Sequence, residues 1–275
     1  MQDYSDQLLN RAALTIARRD AEILLAAAWQ RPRSQILAFA PEAVPAEVTA
    51  RFAESCQRRA RGEPVAYLLG RREFWSLDFE VTPAVLVPRP ETELLVERVL
   101  ALVQLSGARI VDLGTGSGAV AVAIAHERPG WNVLGSDASE ASLAVARRNG
   151  GRYAGDRVEW ILGDWYAPLA ARRFHAIVSN PPYIAADDPA LAGDGLRHEP
   201  RAALTPGGDG FAALHTLIDG APAHLEQDGW LFLEHGATQG APLRAALVAR
   251  GFTHVTSHRD LAGHERVTEG LWPSR

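Results

Sequence analysis

Asn180-Pro181-Pro182-Tyr183 closes an apolar, strand-like run, Ala176-Ile177-Val178-Ser179. Neither proline has a backbone N–H to give to a sheet ladder, so the chain must leave the sheet there. An Asn, two carbonyls of fixed geometry and an aromatic ring are thereby held at the C-terminal edge of a strand, where open α/β sheets bind ligands. The chemistry suited to this set is capture of a planar NH2 group. The side-chain oxygen of Asn180 and the carbonyl of Pro181 each accept one N–H, and the Tyr183 ring packs on the flat face beside Pro182. An isolated Pro-Pro pair is more often only a rigid turn; its place downstream of a glycine-rich loop argues against that reading.

The loop is Asp112-Leu113-Gly114-Thr115-Gly116-Ser117-Gly118, entered from the β-branched run Arg109-Ile110-Val111 and followed by a buried-helix pattern from Ala119 to Ala125. Glycines let backbone turn tightly and approach a ligand, and the helix N-terminus adds partial positive charge. The spacing is G-x-G-x-G, not the G-x-G-x-x-G of a dinucleotide site. A further run, Asn132 to Ser136, ends at Asp137. A carboxylate at that strand tip is placed to accept both hydroxyls of a ribose; it also suits the N-cap of a helix over 138–149. Gly163-Asp164-Trp165 follows a third run, Val158 to Leu162. Trp165 stands either against a bound ring or in ordinary loop packing.

These residues need a scaffold that brings strand ends together. From 109 onward, strands near Arg109, Asn132, Val158, Ala176 and Gly229 alternate with helices, which predicts a doubly wound, mostly parallel sheet. Val255 to His258 and Arg266 to Thr268 read as a closing antiparallel pair, and an amphipathic helix covers about 91–104. Up to about Leu69 the pattern is helical. Ala21, Leu24, Leu25 and Ala28 share one face, and a second helix starts at Pro45, a favoured first-turn residue. Residues 74–87 read as a β-hairpin around Thr82-Pro83. Three parts are expected: a helical substrate-docking head over 1–72, a hairpin linker over 73–90, and a catalytic body over 91–275.

In this order, the glycine loop, the acidic strand end and the Asn-Pro-Pro-Tyr motif resemble the S-adenosylmethionine-dependent class I methyltransferases. Within them the chain resembles the release factor glutamine methyltransferases, the PrmC/HemK family, almost end to end. Gly62 to Tyr67, Arg72 to Trp75, Leu86 to Glu93, Glu199 to Leu204, Leu233 to Gly236 and Asp260 to Gly263 carry the likeness. It departs near the start, where the first helical segment is short. The resemblance implies a Rossmann-like body and S-adenosylmethionine held by Gly114, Thr115, Gly116, Ser117, Gly118, Asp137, Trp165 and Asn180, with Trp165 bordering the adenine. It implies methyl transfer to the side-chain amide nitrogen (N5) of the glutamine in the Gly-Gly-Gln motif of class I peptide chain release factors. The catalytic residues would be Asn180, Pro181 and Tyr183.

The Asn-Pro-Pro-Tyr motif is shared with enzymes acting on exocyclic amines of DNA or RNA, so that reading stays open, as does a non-catalytic cofactor-binding protein. A net charge of −5 argues against the first. Residues 1–75 carry +2, with 11 Arg against 9 acidic residues, and every cation in the chain is Arg. Arg58, Arg59, Arg61, Arg71 and Arg72 form a basic cluster, either a solvated face or a docking surface. The single cysteine, Cys56, fits a core filler in a reducing compartment. Met1 to Asp6 is polar and acidic, without a signal-peptide pattern, and no apolar run is long enough for a membrane helix. A cytoplasmic monomer with no stable nucleic-acid partner is expected. His198 and Glu199 lie in a long Asp-, Pro- and Gly-rich stretch, 185–210, expected to cover the substrate. The remaining histidines have no ligand spacing, so no metal is expected.

Overall fold

The computed structural model describes residues 3–274. Met1 and Gln2, the start of the polar N-terminal stretch, and Arg275 lie outside them. The chain divides into two units, one of residues 1–71 with 192–198, the other of residues 72–191 with 199–275.

The smaller unit is helical. A two-stranded ribbon joins β1 (Asp3–Tyr4) to β2 (Ala43–Val44), and around it lie α1 (Ser5–Ala12), α2 (Arg18–Trp29), α3 (Arg33–Ala38), α4 (Ala46–Ala60) and α5 (Val65–Leu69). Pro45 is the N-cap of α4. Ala21, Leu24 and Leu25 meet Leu8, Leu9, Val48 and Phe52 in its core, which is the face expected from their spacing. Two arginines of the cluster are neutralised locally, Arg58 by Glu63 and Arg59 by Asp20. Residues 192–198 belong here: Gly195 N–H donates to the Gly62 carbonyl at 3.0 Å, and the His198 ring lies 3.0 Å from the Arg61 carbonyl oxygen.

The larger unit opens with the hairpin β3 (Arg71–Phe74) and β4 (Leu77–Glu80). Its turn is Trp75-Ser76, both at positive φ, so the hairpin is shorter and earlier than the 74–87 expected. Thr82-Pro83 forms a separate turn, closed by Val85 N–H to the Thr82 carbonyl. Phe74 and Phe79 are buried in the core of the larger unit.

A 3-10 turn (Pro90–Thr92) leads into α6 (Glu93–Leu102), and alternation follows: β5 (Arg109–Leu113), α7 (Ala119–Glu127), β6 (Asn132–Asp137), α8 (Glu140–Tyr153), β7 (Val158–Leu162), β8 (Phe174–Ser179), α9 (Arg201–Leu204), α10 (Ala212–His224), β9 (Leu225–Glu234), α11 (Gly240–Arg250), β10 (Thr253–Arg259) and β11 (Glu265–Trp272). The seven-stranded sheet has the order β10-β11-β9-β8-β5-β6-β7. β11 pairs antiparallel with both β9 and β10, while β9, β8, β5, β6 and β7 pair in parallel. β5 and β8 are buried on both faces, which is why 110–113 and 176–178 are continuous apolar runs broken only by Asp112. The order reverses between β8 and β5, and their C-terminal ends open there into a crevice.

Candidate active site

Three backbone ties shape the glycine loop. Gly114 and Thr115 N–H groups both donate to the Ser136 carbonyl, at 2.9 and 2.8 Å, and Gly116 N–H donates to Asp137 Oδ2 at 2.9 Å. Two of its glycines answer to different needs. Gly116 has φ +57 and open space where a Cβ would stand, so a ligand can approach its backbone. Gly118 has φ +81, and a Cβ there would fall 2.9 Å from the Trp160 ring and 3.1 Å from Ala146. It serves the packing of α7 against α8 and β7.

Buried Asn149 locks this arrangement. Its Nδ2 donates to the Ser117 and Glu80 carbonyls at 2.9 and 3.0 Å, and its Oδ1 accepts from Glu80 N–H at 2.8 Å. One side chain thus ties the hairpin, α8 and the loop.

Two carboxylates flank the loop. Asp112, 2 % exposed, accepts from Thr115 Oγ1 at 2.6 Å and from Ala121 N–H at 3.2 Å. Burial pushes its carboxyl up to about 7 against those hydrogen bonds. Asp137 is also raised by burial, opposed by bonds from Ser139 and Gly116. Its Oδ1 accepts from Ser139 N–H at 2.9 Å. The helix cap expected of Asp137 falls instead to Ser139, whose Oγ accepts from Ser142 N–H at 3.2 Å. This leaves α8 starting at Glu140, two residues later than read from sequence.

Around this loop lies a cavity of about 500 Å³, lined by Gly114, Thr115, Gly116, Ser117, Asp137, Trp165, Asn180 and Pro182 among others. Val85 and Leu86 form one apolar wall, and Pro200, Ala202 and Ala203 another. Glu199 fixes these walls to each other: its Oε2 accepts from Val87 N–H at 2.9 Å and its Oε1 from Arg89 at 2.5 Å. Both of its oxygens are thus taken by structural partners. The stretch after Tyr183 does not form one continuous cover. Ile184 N–H donates to the Leu204 carbonyl and Ala186 N–H to the Gly208 carbonyl, so its two ends zip together, while 192–198 pack in the helical unit.

Asn180 is half-buried at the end of β8, and its Nδ2 donates to Thr92 Oγ1 at 3.1 Å, which leaves Oδ1 as the acceptor. Gly118, Pro181 and Tyr183 stand outside the cavity wall. The Tyr183 hydroxyl donates to Glu234 Oε1 at 3.1 Å, and its carbonyl accepts from Gln239 Nε2 at 3.1 Å. Burial and the neighbouring Glu234 hold the phenol protonated. Thr92 and Glu234 were not singled out from sequence, although both lie in family-like stretches, Leu86 to Glu93 and Leu233 to Gly236. Spacing could not show that segments 142 residues apart converge. Among the described residues no three His, Cys, Asp or Glu side chains gather as a metal site. A second cleft, of about 780 Å³, lies within the helical unit. Two of its lining arginines, Arg31 and Arg33, are paired with Glu42 and Glu22.

Comparison with known proteins settles the family. Residues 2–70 match the family model described as PrmC N-terminal domain, and residues 90–213 match the methyltransferase small domain. The release factor glutamine methyltransferase of Pseudomonas aeruginosa is 49% identical over 256 residues, covering 93% of each chain. That of Xylella fastidiosa (strain Temecula1) is 48% identical over 267 residues, covering 97% of each. The chain belongs to the release factor glutamine methyltransferase family. A solved methyltransferase from Pyrococcus furiosus is similar in fold, with a TM-score of 0.56 at 18% identity, covering 81% of this chain and 100% of that one. The body is thus a class I methyltransferase fold.

Proposed function

We propose that the protein transfers the methyl group of S-adenosylmethionine to the side-chain amide nitrogen (N5) of the glutamine in the Gly-Gly-Gln motif of class I peptide chain release factors. The observation that carries this reading is the Asn180 carboxamide, anchored through Nδ2 on Thr92 at the edge of the 500 Å³ cavity. Family membership and the named function of relatives near half identity support the choice of substrate.

The cavity fits the cofactor. Open space over Gly116 admits a ligand against the backbone. Asp137 offers lone pairs beyond its two backbone bonds, and Trp165 supplies an aromatic wall beside Gly114. Gly114, Thr115, Gly116, Ser117, Asp137, Trp165 and Asn180 would hold S-adenosylmethionine, which when bound supplies a sulfonium-activated methyl group.

The chain's own residues must then solve a nucleophile problem. An amide nitrogen is weak because its lone pair is delocalised into the carbonyl. Asn180 Oδ1 and the Pro181 carbonyl each accept one N–H of the glutamine, fixing the nitrogen and stabilising the positive charge that grows on it. Tyr183 holds this segment through Glu234. No side chain is assigned as base; the proton leaves after transfer. The helical unit is the second contact with the folded release factor. The protein works as a cytoplasmic monomer, a location that follows from its substrate. The test is competition: labelled cofactor offered with release factor and nucleic acid together should label the factor. Label on nucleic acid alone would overturn the proposal.

A further inference from the structure

Glu234 ends β9, opposite Val267 of β11, and is 1 % exposed. The mechanism above gives it only the Tyr183 hydroxyl, on Oε1. Its Oε2 makes no well-formed hydrogen bond. Beside the carboxyl stands the hydroxyl of Thr92, also buried, which accepts from Asn180 Nδ2. A hydroxyl that accepts at oxygen still has its hydrogen to place, and the Glu234 carboxylate is the acceptor at hand.

The direction of that hydrogen matters because a carboxamide is nearly symmetric in shape. Turning it over exchanges oxygen and NH2, and only its partners decide which end faces the cavity. With Glu234 ionised, Thr92 donates to it, so the Thr92 oxygen must accept, so Asn180 must give Thr92 its NH2 and the site its oxygen. With Glu234 neutral, the carboxylic acid has a proton of its own to give to Thr92. The Thr92 hydrogen is then free to point at Asn180, which favours the reversed amide.

We propose that Glu234 is a positioning residue that acts through Thr92 to hold the Asn180 oxygen toward the methyl-accepting amide, and that protonation of Glu234 releases that hold. The proposal rests on the role given to Asn180 above. Burial pushes the Glu234 carboxyl up to about 7; the Thr92 and Tyr183 hydroxyls and the Arg266 charge oppose the rise, and Glu91 adds to it. These groups face it from the turn before α6, the segment after β8 and β11, and Arg89 in turn faces Tyr183. Tyr183 stays protonated and donates at every working pH, so Thr92 is the hydroxyl whose direction can change.

Two measurements test this. In single turnovers at saturating cofactor, wild-type transfer should rise with pH through about 7, whereas Glu234→Gln should be flat and roughly 10-fold slower at high pH, with little change in KM. Thr92→Val should share that phenotype and Thr92→Ser should restore the wild-type profile, which covers the case of a misfolded Glu234→Gln. Asp112→Asn should keep the pH limb, separating it from the other buried carboxyl. Independently of activity, the side-chain NH2 signal of Asn180 in 15N-labelled protein should titrate near 7 in the wild type and not in Glu234→Gln. An Asn180 signal blind to Glu234, or a Glu234→Gln enzyme with the wild-type rate and profile, would overturn the relay. Failure of the wild type to label release factor would overturn the functional reading instead, leaving the spectroscopic titration to decide the relay alone.

Discussion

At the scale of the residue, each site group is set by what already holds it. Asn180 has one end tied to Thr92, so truncating it removes a preorganised acceptor. Asn180→Ala should lower single-turnover transfer by roughly 100-fold or more while calorimetry finds cofactor affinity largely kept; near-normal chemistry would show that Asn180 does not orient the amide. Asp137 is raised by burial yet held by two backbone N–H groups. Asp137→Ala should weaken S-adenosylmethionine binding by roughly 1–3 kcal/mol, the scale of charged hydrogen bonds, and unchanged affinity would remove it from the ribose site. Much of this was legible in the sequence, because Gly114 to Ser117, Asp137 and Asn180 sit at strand ends and strand ends can be read from periodicity. The partners that aim them were not. Thr92 and Glu234 were not singled out, because nothing local to either marks it as a partner of Asn180 or Tyr183. The hydroxyl of Tyr183 reaches a buried carboxylate that only the folded sheet supplies.

At the scale of the element, the alternation of strands and helices was readable from 109 onward because the central strands β5, β6 and β8 are buried on both faces. The hairpin was misplaced because its turn uses Trp75 and Ser76 at positive φ, where composition gives no turn signal, while Thr82-Pro83 does. Gly118 shows the same limit: spacing could not say that the Trp160 ring occupies the space a side chain there would need. Gly118→Ala should therefore lower stability by roughly 1–3 kcal/mol, read as a fall in the denaturant midpoint, while Gly116→Ala should cost cofactor affinity more than its packing. Asp112 adds a pH signature to the β5–α7 turn. Its folded-state value is raised from 3.8 to about 7, so the protonated form is favoured by folding. Stability should fall as pH rises from about 4 to about 7 and level off above. Asp112→Asn should flatten that slope and match or exceed the wild type at pH 8, by up to roughly 4 kcal/mol. A steeper slope in the variant would contradict the assignment.

At the scale of the whole molecule, a helical unit and a class I methyltransferase body were both visible as a change from helical to alternating pattern. The return of 192–198 to the helical unit was not, since nothing in an Asp- and Gly-rich stretch marks its packing partner. Substrate choice belongs to this scale. A carboxamide slot alone fits an isolated Gly-Gly-Gln peptide as well as an intact factor, so a peptide should be a much poorer substrate only if the helical unit contributes a second contact. Deleting residues 1–71 should cut transfer to the intact factor sharply and narrow its advantage over peptide. The most direct measurement is site-mapped mass spectrometry of purified class I release factor after incubation with the protein and S-adenosylmethionine. A single methyl on the Gly-Gly-Gln glutamine amide, absent when that glutamine is replaced by asparagine, is the result predicted. An unmodified glutamine, with methyl appearing on another residue or on added nucleic acid, would contradict the account.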